Sequence, residues 1–216
     1  MRDSEKKFKI WTSAAKLLTK NGEGRILKPV YRAMLVILML VACGCSNKPR
    51  TVEKYAKDGI SFSHYSTWRV TEDAPIEGTP DSRSITIDGP NHAIVMFIFL
   101  PPGDDVTVEN FAAGVASGRL EEIENMSIGS VRPADITDTK TEPITGRVGG
   151  RVQKGLVQRF SIKILGQLVP HVARIFSVEN DHVKVFIVTQ INTEDLRDTT
   201  PDFDLILDSV SLASGK

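Results

Sequence analysis

The sequence predicts an α/β fold: a layered sandwich with a central, mostly antiparallel sheet and helices on both faces. Three observations carry that expectation. "HAIVMFIFL" (92–100) is a nearly continuous apolar run, and a strand apolar on both sides needs a cover on each. Two segments, 107–126 and 200–212, space their apolar residues with a helical period. "QLVPHVARIFSV" (167–178) and "HVKVFIVTQI" (182–191) are strand-like runs separated only by Glu179-Asn180-Asp181, so they should pair as an antiparallel hairpin. A chain of 216 residues with 41% hydrophobic content suits one well-filled core.

Residues 1–42 read as a leader. Ten uncharged residues, Ala33 to Ala42, follow Arg25, Lys28 and Arg32. A membrane-spanning helix needs about 20 such residues, whereas a short apolar core behind a positive flank suits an export signal. The run closes as Leu40-Val41-Ala42-Cys43, which resembles the lipobox of bacterial lipoproteins. That resemblance implies a lipid on the Cys43 thiol and cleavage before it. The stretch before the core is long for such a signal, which fits either a translation start further downstream or an extended cytoplasmic flank. The other readings are an internal buried strand, a metal half-site and a Cys43–Cys45 disulfide. Cys43 and Cys45 are the only cysteines, so soft metal ligands are few, and a 43–45 disulfide closes almost no loop. Cys45 is a neighbour or a minor alternative acceptor.

Residues 43–58 are polar and form a tether, with a domain at 59–213 and ordered structure from about Ile60. "ISFSHY" alternates as a strand, "WRV" supplies a second, and 72–82 reads as an exposed loop. "RSITIDG" is a strand, Gly89-Pro90-Asn91 a turn, and Pro101-Pro102-Gly103 ends the apolar run. Thr107 caps the first helix, which Gly114 and Gly118 weaken. Residues 127–146 are a loop or one irregular strand, and 147–163 a strand interrupted near Gly155. Pro170 belongs near a strand start, an edge or a bulge. In "TPDFDLILDSVSL", Thr200 caps a helix with Pro201 first and Phe203, Ile206, Leu207 and Val210 inward. Phe62, Trp68, Ile94, Phe97, Phe111, Phe160, Phe176, Phe186, Phe203 and Ile206 should be mostly buried.

This order is similar to that of the PsbP-type family, which includes the extrinsic subunit of photosystem II, a Ran-binding nuclear import factor and many bacterial lipoproteins. The resemblance covers about residues 57–212 and rests on "DGISFSHYSTW" (58–68), "VTVENFA" (106–112), the late hairpin and "FDLILDSVSL" (203–212). Gly59, Phe62 and Trp68 match the first motif; His64 replaces an aromatic residue and Tyr65 a proline. The family shares an architecture and no single activity.

No residue set points to a reaction. His64, His92, His171 and His182 are scattered and read as structural or surface groups, with a metal site from two of them and an acid as the minority reading. Asp104-Asp105 serve capping as readily as calcium binding, Glu121-Glu122-Glu124 read as a solvated helix face, and "GRVGGRVQKG" (146–155), which could hold an anion, reads first as a strand and turn with solvated charges. The sequence has no Gly-x-Ser-x-Gly elbow, His-Glu-x-x-His pair or phosphate loop. No catalytic, cofactor-binding or metal residue is therefore assigned, and no cofactor is expected. Residues 1–42 hold nine Lys/Arg against three Asp/Glu and residues 43–216 eighteen against twenty-four, so the chain without its leader carries minus six. That balance opposes nucleic-acid binding. The expectation is a non-catalytic binding or accessory domain of the bacterial cell envelope, lipid-anchored through Cys43. It would sit outside the cytoplasm at the cell membrane or outer membrane, with another envelope protein as partner. The alternative is a small hydrolase or metal-binding protein.

Overall fold

The computed structural model describes residues 50–76, 79, 81–101, 103–125, 134–164 and 166–213. The leader, Cys43, Cys45 and the side chains of Glu121, Glu122 and Glu124 lie outside the described residues. In chain order the elements are β1 (Val52–Lys57), β2 (Ile60–Tyr65), β3 (Arg69–Pro75), β4 (Arg83–Asp88) and β5 (Ile94–Leu100), then α1 (Val108–Asn125). They continue with β6 (Ala134–Val148), β7 (Arg151–Ile164), β8 (Gln167–Glu179), β9 (Lys184–Asn192), α2 (Leu196–Asp208) and β10 (Ser211–Leu212).

Seven strands form an antiparallel sheet in the order β3-β4-β5-β9-β8-β7-β6. A smaller antiparallel sheet, β1-β2-β10, and α2 cover one face, and α1 covers the other. The larger core lies under α2 and the small sheet, where Phe62, Trp68, Phe97, Phe176, Phe203 and Ile206 meet. Tyr55, Phe62 and Phe97 stack in succession with ring centroids 4.8 Å apart at each step, tying the small sheet to the large one. The second core, under α1, is built on Ala112, Leu156, Phe160, Ala173, Ile175 and Val188. The layered α/β sandwich with helices on both faces is thus the observed architecture.

Local chemistry explains the differences from expectation. Order begins before Ile60, because β1 pairs along its whole length with β2 through an Asp58-Gly59 turn with positive φ at both residues. Five of the six residues of β1 are exposed, so no apolar alternation marks it. Strand β3 runs to Pro75, into the segment expected as loop. The strand buried on both faces is β9, whose residues 185–189 are all buried, and not β5, where buried and half-buried residues alternate. Helix α1 packs over β6, β7 and β8, which leaves the second face of β5 only partly covered. Ile94 and Phe111 are accordingly half-buried.

The segment at 134–148 is one long strand with an irregularity between Thr137 and Lys140, where Asp138 has φ 58°. Strand β7 is not interrupted at Gly155. The break is the turn at Gly149-Gly150, with φ values of 58° and 74°. Gly155 is needed within the strand, since a Cβ there would meet the Ile175 carbonyl and the Phe176 ring. Pro170 lies near the start of β8 as expected, and its carbonyl accepts the Thr193 N–H at 2.8 Å.

Thr107 does cap α1, its Oγ1 accepting the Asn110 N–H at 3.2 Å. Helix α2 starts one turn before the expected Thr200. Asn192 and Asp195 brace each other through two hydrogen bonds of 2.7 and 2.8 Å and turn the chain straight into the helix. Thr200 then lies inside it, donating to the Leu196 carbonyl at 2.7 Å, with Pro201 also internal. The inward stripe of Phe203, Ile206, Leu207 and Val210 is buried as expected.

Candidate functional site

Helix α2 has an open groove on one flank and a buried carboxylate on the other. On one flank an open groove of about 750 Å³ runs between the helix and strands β6 and β8. Its sheet wall carries Arg147 and Arg174 and its helix wall Asp204 and Asp208. Arg147 Nε donates to Asp208 Oδ1 at 3.1 Å, while Arg174 reaches Asp204 and Thr200 only at 3.5 Å. Asp204 and Arg147 are mostly exposed, so water and salt screen these pairs, and the charges match each other across the groove.

On the other flank Asp202 is 3% exposed. Its Oδ2 accepts the indole N–H of Trp68 at 2.8 Å and is also bound by Nη2 of Arg50, whereas its Oδ1 has no hydrogen-bond partner among the described residues. The Trp68 ring is buried and packs edge-on against Phe203 at 5.5 Å, one residue along from Asp202. The Arg50 guanidinium lies 4.2 Å from the centre of the Tyr65 ring, a cation over an aromatic face. The Arg50 side chain is 45% exposed and lies over the buried carboxylate. A buried carboxylate beside an aromatic plane is an arrangement that takes a planar cation.

Two further polar clusters serve the fold. Beneath α1, Arg119 donates to Gln158 at 2.9 Å and to Gln190 at 3.0 Å and lies over Phe160. Gln158, 1% exposed, donates in turn to the Ala112 carbonyl at 2.9 Å, joining helix to sheet. His171 stacks on Phe160 at 5.6 Å; burial pushes its pKa below the ordinary histidine value, with the charge of Arg119 acting the same way and the Val169 carbonyl opposing. Between the two sheets, Asp73 accepts from Arg83 at 2.6 Å, Lys57 at 2.6 Å and Tyr55 at 2.7 Å. The hydrogen bond from Arg83 chiefly holds the Asp73 carboxyl well below the usual range, against the opposing effect of burial. Burial first, then Asp73, pushes the Tyr55 phenol up to about 12.

The histidines do not converge. His64 is buried in β2, with its Nδ1 3.0 Å from the Tyr65 carbonyl and its ring 6.1 Å from that of Phe62. His92 and His182 are exposed in turns. Asp104 accepts the Val106 N–H at 3.0 Å, a local turn contact. Arg147 to Gly155 form the strand end, turn and strand expected of them. Among the described residues no group of three His, Cys, Asp or Glu side chains is placed to hold a metal ion.

Sequence reasoning missed Asp202 and Arg50. Asp202 looks like one more acid near a helix start, yet it lies four residues before Ile206 and so on the inward stripe. An acid at that spacing was the available signal.

No family model matches the chain, and neither does any curated protein. Solved structures are similar to it at low identity. One is the solution structure of cyanobacterial PsbP from Synechocystis sp. PCC 6803, with 13% identity and a TM-score of 0.44, covering 79% of this chain and 97% of that one. Another is LpqN of Mycobacterium tuberculosis, described as involved in cell envelope biogenesis, with 11% identity and a TM-score of 0.34, covering 81% and 97%. A protein of unknown function from Pseudomonas aeruginosa, a putative regulator, has 15% identity and a TM-score of 0.29, covering 76% and 98%. No helix among the described residues is long and apolar enough to cross a membrane.

Proposed function

We propose that the protein is a lipid-anchored, non-catalytic accessory domain of the bacterial cell envelope, held to a membrane by acyl chains on Cys43 and binding another envelope protein. The observation that carries the reading is the apolar run Ala33 to Ala42, which follows Arg25, Lys28 and Arg32 and closes at Cys43. Acyl chains on Cys43 would tether the domain to the bilayer, and each buried methylene contributes about 0.8 kcal/mol to anchoring. The groove pairs Arg147 with Asp208 and Arg174 with Asp204, a mixed-charge surface that suits a protein partner. The alternative of a small hydrolase or metal-binding protein has no comparable observation in its favour.

Mass spectrometry of the mature amino terminus tests the anchor. Cys43 should carry diacylglycerol, Cys43→Ala should abolish lipid labelling and leave the precursor uncleaved, and Cys45→Ala should do neither. An unmodified Cys43 in cleaved protein would remove the membrane placement. Crosslinking in intact envelopes tests the partner: a discrete adduct is expected, and none above control counts against the binding role.

A further inference from the structure

The side-chain cluster at Asp202 has the parts of a recognition site in excess of what holding the fold requires. Asp202 is 3% exposed, receives two donors on Oδ2 and none on Oδ1 among the described residues. The aromatic plane of Tyr65 lies under the seated guanidinium at 4.2 Å. A flat cation with several N–H donors satisfies both features at once, which a compact ammonium does not. Arg50 is held by its side chain alone: the side chain is nearly half exposed, and the residue precedes the first described backbone hydrogen bond to β2's end, where Ser66 N–H donates to the Thr51 carbonyl at 2.8 Å. Its guanidinium can therefore leave Asp202 without unpairing β1.

We infer that Asp202, Trp68 and Tyr65 form a guanidinium-binding site, which Arg50 occupies in cis and an arginine side chain of an envelope partner occupies in trans. The trans occupant rests on the accessory reading above; the guanidinium site does not. Arg50 competes at a high effective concentration because it is tied to the domain. A partner's arginine gains access when the Arg50 side chain leaves Asp202, so the two arginines exclude each other.

The test uses the full chain in mild detergent with Trp11→Phe, which leaves Trp68 as the single tryptophan. N-acetyl-arginine amide is titrated against Trp68 emission, with N-acetyl-lysine amide as control. In the Arg50→Ala variant the arginine amide should give a saturable change, at least about tenfold tighter than in the chain that keeps Arg50. Asp202→Asn added to that variant should abolish the response. Arg50→Gln, which keeps an alkyl stem against Tyr65, should reproduce it and serves if the alanine variant folds poorly by circular dichroism. A folded Arg50 variant without a saturable response overturns the site. So does a response that survives Asp202→Asn, one equally tight with Arg50 present, or one shared equally by the lysine amide. Failure of the anchor is read separately, from the mass of Cys43, and leaves this titration unaffected.

Discussion

Asp73 and Asp202 are both largely removed from water, and their surroundings differ in completeness. Asp73 spends both oxygens, one on Arg83 and the other on Tyr55 and Lys57, and its three partners come from β1 and β4. Asp202 spends one oxygen twice and leaves the other unused among the described residues. A carboxylate that serves only the fold is surrounded until nothing is left over, because an unsatisfied buried acceptor costs about 1–3 kcal/mol. A carboxylate with capacity to spare is where a ligand can add something. The contrast separates a staple from a site in a chain whose charges otherwise look alike.

The largest expected effect tests the platform behind the staple. Phe97 carries Phe62, which carries Tyr55. Phe97→Ala should cost about 3–5 kcal/mol in urea unfolding, as removal of a fully buried ring does. A loss under about 1 kcal/mol would show that the stack does not hold the two sheets together.

Next, Asp73→Ala should cost about 2–3 kcal/mol, because it strands the mostly buried guanidinium of Arg83. Asp202→Asn should cost less, about 1–2 kcal/mol, since the amide oxygen can still accept from Trp68. Equal losses by chemical denaturation would erase the distinction between staple and site.

The pH dependence sharpens the same comparison. The folded pKa of Asp73 is depressed, so its contribution is complete above the unfolded aspartate value of about 3.9 and is lost as the pH falls below it. Tyr55 is raised to about 12, so its contribution is complete below the unfolded tyrosine value of about 10 and is lost as the pH rises from there. Stability measured against pH should therefore fall below about 4 and again above about 10, and Asp73→Asn should flatten the acid limb while only weakening the alkaline one. An unchanged acid limb in that variant would contradict the assignment.

Arg147→Ala should have the smallest effect, under about 1 kcal/mol by thermal unfolding, because its pair with Asp208 is exposed. A larger loss would mean that the groove wall is held by this pair after all.

Much of this fold was legible in the sequence, and the reasons are local. "HAIVMFIFL", the 179–181 turn and the Phe203-Ile206-Leu207 stripe each announce an element through periodicity within a few residues. Strand β1 was not legible, because its pairing with β2 leaves nearly all of it in water. The start of α2 was hidden because Thr200-Pro201 imitates a cap better than Asn192 and Asp195, whose bracing depends on where β9 ends. The candidate site was less legible still. Trp68 and Asp202 are 134 positions apart, and Arg50 and Asp202 are 152 apart, so no window of sequence contains either pair.

Those separations also bear on the order in which the chain can fold. Strand β2 has β1 on one side and β10, the last of the described strands, on the other. Ser209 reaches back 146 positions to receive the Ser63 N–H at 2.8 Å. Contacts so distant in sequence form slowly, after the long loop between them has closed. While the chain is still being delivered from its amino terminus, β1 and β2 can pair with each other but have no Phe203, no Ile206 and no third strand to bury them, and an isolated hairpin is marginal in water. The small sheet and the seat of Arg50 should therefore be among the last features to set, and a nascent chain remains unlatched until its final helix is free.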